Sequence, residues 1–166
     1  HTVGQLLITK EDVDDPKRHD NLVAAFSRLF EFGAIPIINE NDAVAVDEIV
    51  YGDNDSLSAV VATLIGADKL VILTETDGLY TADPTVDPKA YRIAEVPEIT
   101  DEIVACASSH GTKLGTGGML TKVHAAQIAT SAGIDTYVIC GRDAHDIYRL
   151  MDGERVGTHF CARRNG

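Results

Sequence analysis

Basic residues are scarce: Lys and Arg number 14 against 26 Asp and Glu, a formal net charge of −12. Nucleic-acid affinity rests on clustered Lys and Arg, so this balance excludes a general nucleic-acid binder and serves solubility. It also sets a condition. An anionic ligand must find local donors or a divalent cation here, against an unfavourable overall field. Long apolar runs are missing too, and no stretch approaches the ~20 residues that a membrane span needs. The opening residues, His1 to Gly4, run into a strand pattern with no basic-then-apolar leader. A soluble, cytoplasmic protein without a membrane partner is expected. Cys106, Cys140 and Cys161 are far apart and form no CxxC, which suits reduced thiols. The histidines are scattered without an HxxxH pair, so no metal site is expected from them. Repeats and low-complexity linkers are also lacking.

What is present reads as alternating strands and helices. The 166 residues, 45% of them hydrophobic, suffice for one α/β domain with a real core, so residues 1–166 are taken as a single domain. Val3 to Thr9 has a strand pattern. Asp15-Pro16 is an N-cap followed by proline at the first helical position, opening a helix with Leu22, Phe26, Leu29 and Phe30 inward and a stop at Gly33. Ala34 to Ile38 is a short apolar strand, although Pro36 removes an N–H from it. Residues 43–51 suggest a small hairpin. A helix from near Asp53, with Leu57, Val60, Val61, Leu64 and Ile65 inward, ends at Gly66. Lys69 to Thr74 is the clearest strand. Residues 75–98 form a long irregular segment, and Ile99 to Ser108 a short helix. A glycine-rich turn over 111–118 leads into a helix from Met119 to Ala132. Ile134 to Cys140 is a strand, Asp143 to Met151 a helix, and Gly157 to Cys161 a final strand. This order predicts an α/β fold: an αβα sandwich around a mainly parallel central sheet.

Four polar features follow strands or open helices, where open α/β sheets bind ligands. The strongest is Gly115-Thr116-Gly117-Gly118-Met119-Leu120-Thr121-Lys122. Its glycines allow close backbone approach, its amides can form an anion-binding concavity, and the following helix adds its positive end. Lys122 lies one turn into that helix, within reach of a phosphate. It is neither a Walker A loop nor GxGxxG, and a plain glycine connector with a solvated lysine remains an alternative. The second is Asn39-Glu40-Asn41-Asp42, able to hold an ammonium group, or an ordinary Asx turn. Third comes Gly52-Asp53-Asn54-Asp55-Ser56, for which helix capping is the favoured reading when it stands alone. Thr74-Glu75 with Gly78 to Pro84 is the fourth; Tyr80 there either flanks a base or simply packs.

Taken in order, INENDAVA, GDNDSLSA, GADKLVILTETDGLYTADP, GTGGMLTK and AGIDT resemble the amino acid kinase family over about residues 3 to 161. Within that family the likeness is to the branch that phosphorylates the γ-carboxylate of glutamate, the first step of proline biosynthesis. The resemblance implies that Asp42 and Asn54 bind glutamate and that Asp55 organises the catalytic lysines. It implies that Thr116, Gly117, Gly118, Met119, Leu120, Thr121 and Lys122 bind ATP, with Lys122 also stabilising the transferring phosphate. Thr74 and Glu75 would line the nucleotide site, although relatives usually carry aspartate where Glu75 stands. ATP, with Mg²⁺ bound mainly through it, glutamate as second substrate, and a homo-oligomer are further implications. Another member (acetylglutamate, carbamate or uridylate kinase) and a nucleotide-binding fragment are the alternatives. The family pattern also includes an initial strand and Gly/Ser loop with a second phosphate-binding lysine, and in some members a PUA domain. No stretch of this chain corresponds to these. It is therefore expected to be the larger, ATP-handling part of an incomplete fold, inactive or unstable by itself.

Overall fold

The structure, a computed structural model, describes residues 1–44, 52–108 and 118–163. Two compact units are present, His1–Leu57 and Ser58–Gly166. Most of the hairpin expected over 43–51 and of the glycine-rich turn over 111–118 lies outside the described residues.

The first unit holds β1 (Val3–Ile8), α1 (Lys10–Asp14), α2 (Pro16–Glu31) and β2 (Ile35–Glu40). β1 and β2 pair in parallel, with Val3 opposite Ile35 and Ile8 opposite Glu40. Pro36 is accommodated for a directional reason. Ile35 and Asn41 donate their N–H groups to Thr2 and Ile8 on the β1 side, at 2.9 and 2.8 Å. Successive N–H groups of a strand alternate, so the one Pro36 lacks would have pointed away from β1.

α2 begins as its sequence predicts: the Asp15 carboxylate accepts the Arg18 amide at 2.9 Å, with Pro16 in the first turn. Leu22 and Phe26 are buried, whereas Phe30 is half exposed and stacks on Phe26 with ring centroids 6.4 Å apart. The expected apolar face is therefore one residue too wide. Gly4 leaves room for Leu29, whose Cδ2 would stand 2.5 Å from a Cβ added there and would have to shift. The short α1 is an addition to the expected elements. It is held by a capping box in which the Thr9 hydroxyl accepts the Asp12 amide at 3.3 Å and the Asp12 carboxylate accepts the Thr9 amide at 2.8 Å.

α3 (Asn54–Leu64) spans the boundary between the units. It buries Leu57, Ala59, Val61 and Ala62, while Ile65, expected inward, is exposed. The second unit continues with β3 (Lys69–Thr74), β4 (Glu95–Val96), α4 (Asp101–Ser108), α5 (Met119–Ser131), β5 (Asp135–Cys140), α6 (His145–Met151) and β6 (Thr158–Phe160). Its strands are ordered β3-β5-β6-β4. β3–β5 and β4–β6 are parallel and β5–β6 antiparallel, so the sheet is mainly parallel, as predicted. α5 packs on β5 and α4 on α5. Val123, Ala126 and Ala129 of α5 meet Leu70, Ile72, Val138 and Phe160 in one core. Small residues on the helix let it approach the branched side chains of the strands closely.

Residues 75–98 are more ordered than their composition suggests. Tyr80 bridges to Arg92, and Ile93 donates its amide to the Leu79 carbonyl at 2.8 Å. The strap is tied to β6 by one side chain. The buried Thr158 hydroxyl donates to the Ile93 carbonyl at 2.6 Å and accepts the Leu79 amide at 2.8 Å. Gly157 (φ +70°) leads into β6, and a Cβ there would stand 2.2 Å from the Val138 carbonyl oxygen.

At the other end of β5, Asp135 accepts the Ala162 amide at 3.0 Å and meets His159 Nε2 at 2.8 Å. Burial opposes ionisation of Asp135, but the Ala162 amide, the His159 ring and the Lys69 ammonium together outweigh it and hold the carboxyl below its ordinary value.

Two predictions follow from these ties. Thr158→Val keeps shape but strands a buried amide and a buried carbonyl. It should lower unfolding free energy by about 2–4 kcal/mol in urea titration; a change below about 0.5 kcal/mol would contradict the clamp. A depressed carboxyl contributes stability that is complete above the unfolded-state value, about 3.9, and is lost as pH falls through the folded value. Unfolding midpoints measured from about pH 6 down to pH 2 should therefore fall less steeply in Asp135→Asn than in the unmodified chain.

Candidate active site

Parallel pairing of β3 with β5 brings two carboxyl ends to one level, Thr74 standing opposite Cys140. Beyond them the Gly141 amide donates to the Thr74 carbonyl at 2.7 Å, and the Cys140 thiol to the Glu75 carbonyl at 3.7 Å. Gly141 allows this approach, since a Cβ there would lie 3.1 Å from Leu73 Cβ. The crevice outside the carboxyl ends of parallel strands is the usual ligand position in open α/β sheets. An open cleft of about 550 Å³ lies there, lined by Leu73, Thr74, Glu75, Lys122, Gly141 and Arg142.

Its chemistry is mixed in a useful way. Leu73 contributes an apolar surface that is half exposed, Thr74 a hydroxyl, and Glu75 a carboxylate. Lys122 and Arg142 contribute cations. Lys122 stands one turn into α5 and is only 7% exposed. A lysine is seldom buried to that degree unless its ammonium has a function or a partner.

The start of α5 explains itself residue by residue. Gly118 occupies the N-cap with extended backbone (φ −73°, ψ −177°) and makes no side-chain cap. Met119 is buried in the core and Leu120 packs against it. Those two side chains therefore serve packing, leaving their backbone amides as the groups able to meet a ligand. The Thr121 hydroxyl donates to the Gly118 carbonyl at 2.8 Å, fastening the first turn.

Thr74, Glu75 and Lys122, 48 residues apart along the chain at the widest, thus line one cleft, with Gly118 to Thr121 leading into the same helix. Thr116 and Gly117 lie outside the described residues. Asp42, Asn54 and Asp55 belong to the first unit. Asp42 is exposed in the turn after β2, and Asn54 and Asp55 begin α3. Capping accounts for their neighbour Asp53, whose carboxylate accepts the Ser56 amide at 2.7 Å and the Ser56 hydroxyl at 2.9 Å. Tyr80 is directed elsewhere, its hydroxyl donating to Asp77 at 2.9 Å. That hydrogen bond, with burial and the Asp77 charge, raises the Tyr80 phenol above its ordinary value. Leu73, Gly141 and Arg142 are cleft residues that the sequence reading missed. Their signal was present: Cys140-Gly141-Arg142 ends a second apolar strand as Thr74-Glu75 ends the first.

Among the described residues no group of three or more His, Cys, Asp or Glu side chains is placed to hold a metal ion. None of their helices is long and apolar enough to cross a membrane.

Comparison with known proteins agrees with this architecture. The chain is 48% identical over 161 residues to a protein named glutamate 5-kinase from Clostridium tetani, covering 97% of this chain and 60% of that one. It is 51% identical over 162 residues to the glutamate 5-kinase of Dehalococcoides mccartyi, covering 96% and 43%. The chain thus spans less than two thirds of the relatives it matches. Among solved structures, UMP kinase from Bacillus anthracis superposes with a TM-score of 0.58 at 15% identity, over 86% of this chain and 52% of that one. Carbamate kinase from Giardia lamblia bound to AMP-PNP gives 0.60 at 21% identity, over 84% and 44%. At such identities these two share the fold alone. The sequence pattern of the amino acid kinase family matches residues 1–140, and the chain belongs to that family.

Proposed function

We propose that this chain is the nucleotide-handling part of a glutamate 5-kinase, which transfers the γ-phosphoryl group of ATP to the γ-carboxylate of glutamate and yields glutamyl 5-phosphate. The observation that carries the reading is the cleft at the ends of β3 and β5. It combines an apolar wall, a hydroxyl, a carboxylate, one cation at the start of α5 (Lys122) and a second just beyond β5 (Arg142), a mixture that suits a nucleotide. Relatives named glutamate 5-kinase, 44–51% identical to the chain, support the choice of acceptor.

A glutamate side chain has an ordinary pKa of about 4.3 and is already an ionised nucleophile at neutral pH. No general base is needed. Catalysis then consists of aligning the carboxylate with the γ-phosphorus and neutralising the charge that develops on the transferring group. In this account the Lys122 ammonium and the amides at Gly117 and Gly118 meet that charge, while Asp55 positions the catalytic lysines. Asp42 and Asn54 orient glutamate, and Thr74 and Glu75 hold the nucleoside. Mg²⁺ would be carried by the phosphates and would offset their charge. A cytoplasmic setting and assembly as a homo-oligomer belong to the same proposal.

Lys122 provides the test. Removing one preorganised donor costs roughly 10²–10³ in rate in other enzymes. In the intact protein, Lys122→Ala should lower kcat by that factor, as should Lys122→Met, which keeps the apolar stem and therefore the packing. Glutamyl phosphate formation is read by trapping the acyl phosphate with hydroxylamine. A Lys122→Met enzyme with near-normal kcat would refute the assignment.

A further inference from the structure

We propose that Arg142 is an additional nucleotide-binding residue, its guanidinium engaging the phosphate chain at the rim of the cleft. This rests on the nucleotide reading of that cleft. The sequence motif at the start of α5 supplies one cation, Lys122; Arg142 comes from a different element and from no recognised motif.

Three observations support it. The first is position. Arg142 directly follows Gly141, whose amide is tied to the Thr74 carbonyl at 2.7 Å. The backbone leaving β5 is therefore anchored beside the end of β3, and the Arg142 side chain lines the same cleft as Thr74, Glu75 and Lys122.

The second is availability. Arg18 pairs with Asp12 at 3.1 Å, Arg28 with Glu31 at 2.6 Å and Arg149 with Glu154 at 2.8 Å, whereas Arg142, Arg155 and Arg163 have no ion pair to a described residue, and of these three Arg142 alone lines this cleft. Arg142 is exposed and has no such partner among the described residues. In a chain with nearly twice as many acids as bases, an arginine left without a carboxylate beside a cleft is a notable arrangement.

The third is charge. ATP is polyanionic, the chain carries −12, and Glu75 puts a carboxylate in the cleft itself. Lys122 alone would face both. A guanidinium is always charged, is weakly hydrated, and presents a rigid fork of donors matched to phosphate oxygens. At an exposed rim it also draws the anion toward the cleft, an effect that salt weakens.

The phosphate assignment separates from a contact to base or ribose by using ligands with and without phosphates. Equilibrium titrations of the intact protein with Mg-ATP and with adenosine would compare the unmodified form with Arg142→Ala, Arg142→Lys and Lys122→Met. Arg142→Ala should weaken Mg-ATP about tenfold, close to one charge-assisted contact, and adenosine less than about twofold. It should also flatten the dependence of Mg-ATP affinity on salt. Arg142→Lys should recover most of the loss. Unchanged Mg-ATP affinity in Arg142→Ala, alongside a loss in Lys122→Met, would overturn this inference and leave the nucleotide site standing. Equal weakening of Mg-ATP and adenosine would overturn it as well, since a displaced loop and not a phosphate contact would then be at work. An intact, unmodified protein that binds no Mg-ATP would overturn the nucleotide reading and this inference with it.

Discussion

The parallel register of β3 and β5 is the constraint on which the cleft depends. Thr74 and Cys140 stand opposite each other, and one further hydrogen bond, from Gly141 to the Thr74 carbonyl, carries the alignment past the last paired residues. Two chain segments with no sequence proximity are thereby held at a common level. α5, packed on β5 through Val123, Ala126 and Ala129, sets Lys122 against the same opening. A slip of one residue would turn Thr74 toward the other face and exchange the polar rim for core side chains. Register is specified by the buried face: Leu70, Ile72 and Val138 are all inside, so slippage would expose them.

The consequence is a cleft whose described polar side chains are few. Met119 and Leu120 illustrate the division of labour. Both lie in a glycine-led stretch that resembles a phosphate-binding motif, yet their side chains belong to the core. The backbone there is held by packing on one side and is available on the other. Charge imposes the complementary demand. With −12 overall, attraction for a polyanion has to be local, and in the proposed reading it would come from Lys122, Arg142 and the start of one helix.

Much of this was legible in the sequence wherever local chemistry decides the outcome. Asp15-Pro16 opened α2 as expected, and the Leu-Val-Ile-Leu run between Lys69 and Thr74 forms a strand with Leu70 and Ile72 buried. Errors arose where partners distant in the chain decide. The two-residue β4 exists only because β6 pairs with it, and Thr158 ties the 75–98 strap through a hydroxyl that no pattern distinguishes from a surface threonine. Apolar spacing placed Phe30 and Ile65 inside although both are exposed, since periodicity marks a face without marking how far a neighbouring layer extends. Lys122, Thr74 and Glu75 were found from motif and strand end. Arg142 was not, because its place beside Thr74 is a product of strand pairing across more than sixty residues.

The central claim is that the nucleotide occupies the carboxyl ends of β3 and β5. Amide-resolved NMR of the intact protein, titrated with Mg-ADP, would locate the ligand directly. The account predicts shift changes concentrated at Thr74–Glu75, Gly118–Lys122 and Gly141–Arg142. Changes centred instead on Lys69, Tyr137 and His159, which line a separate pocket, would contradict it.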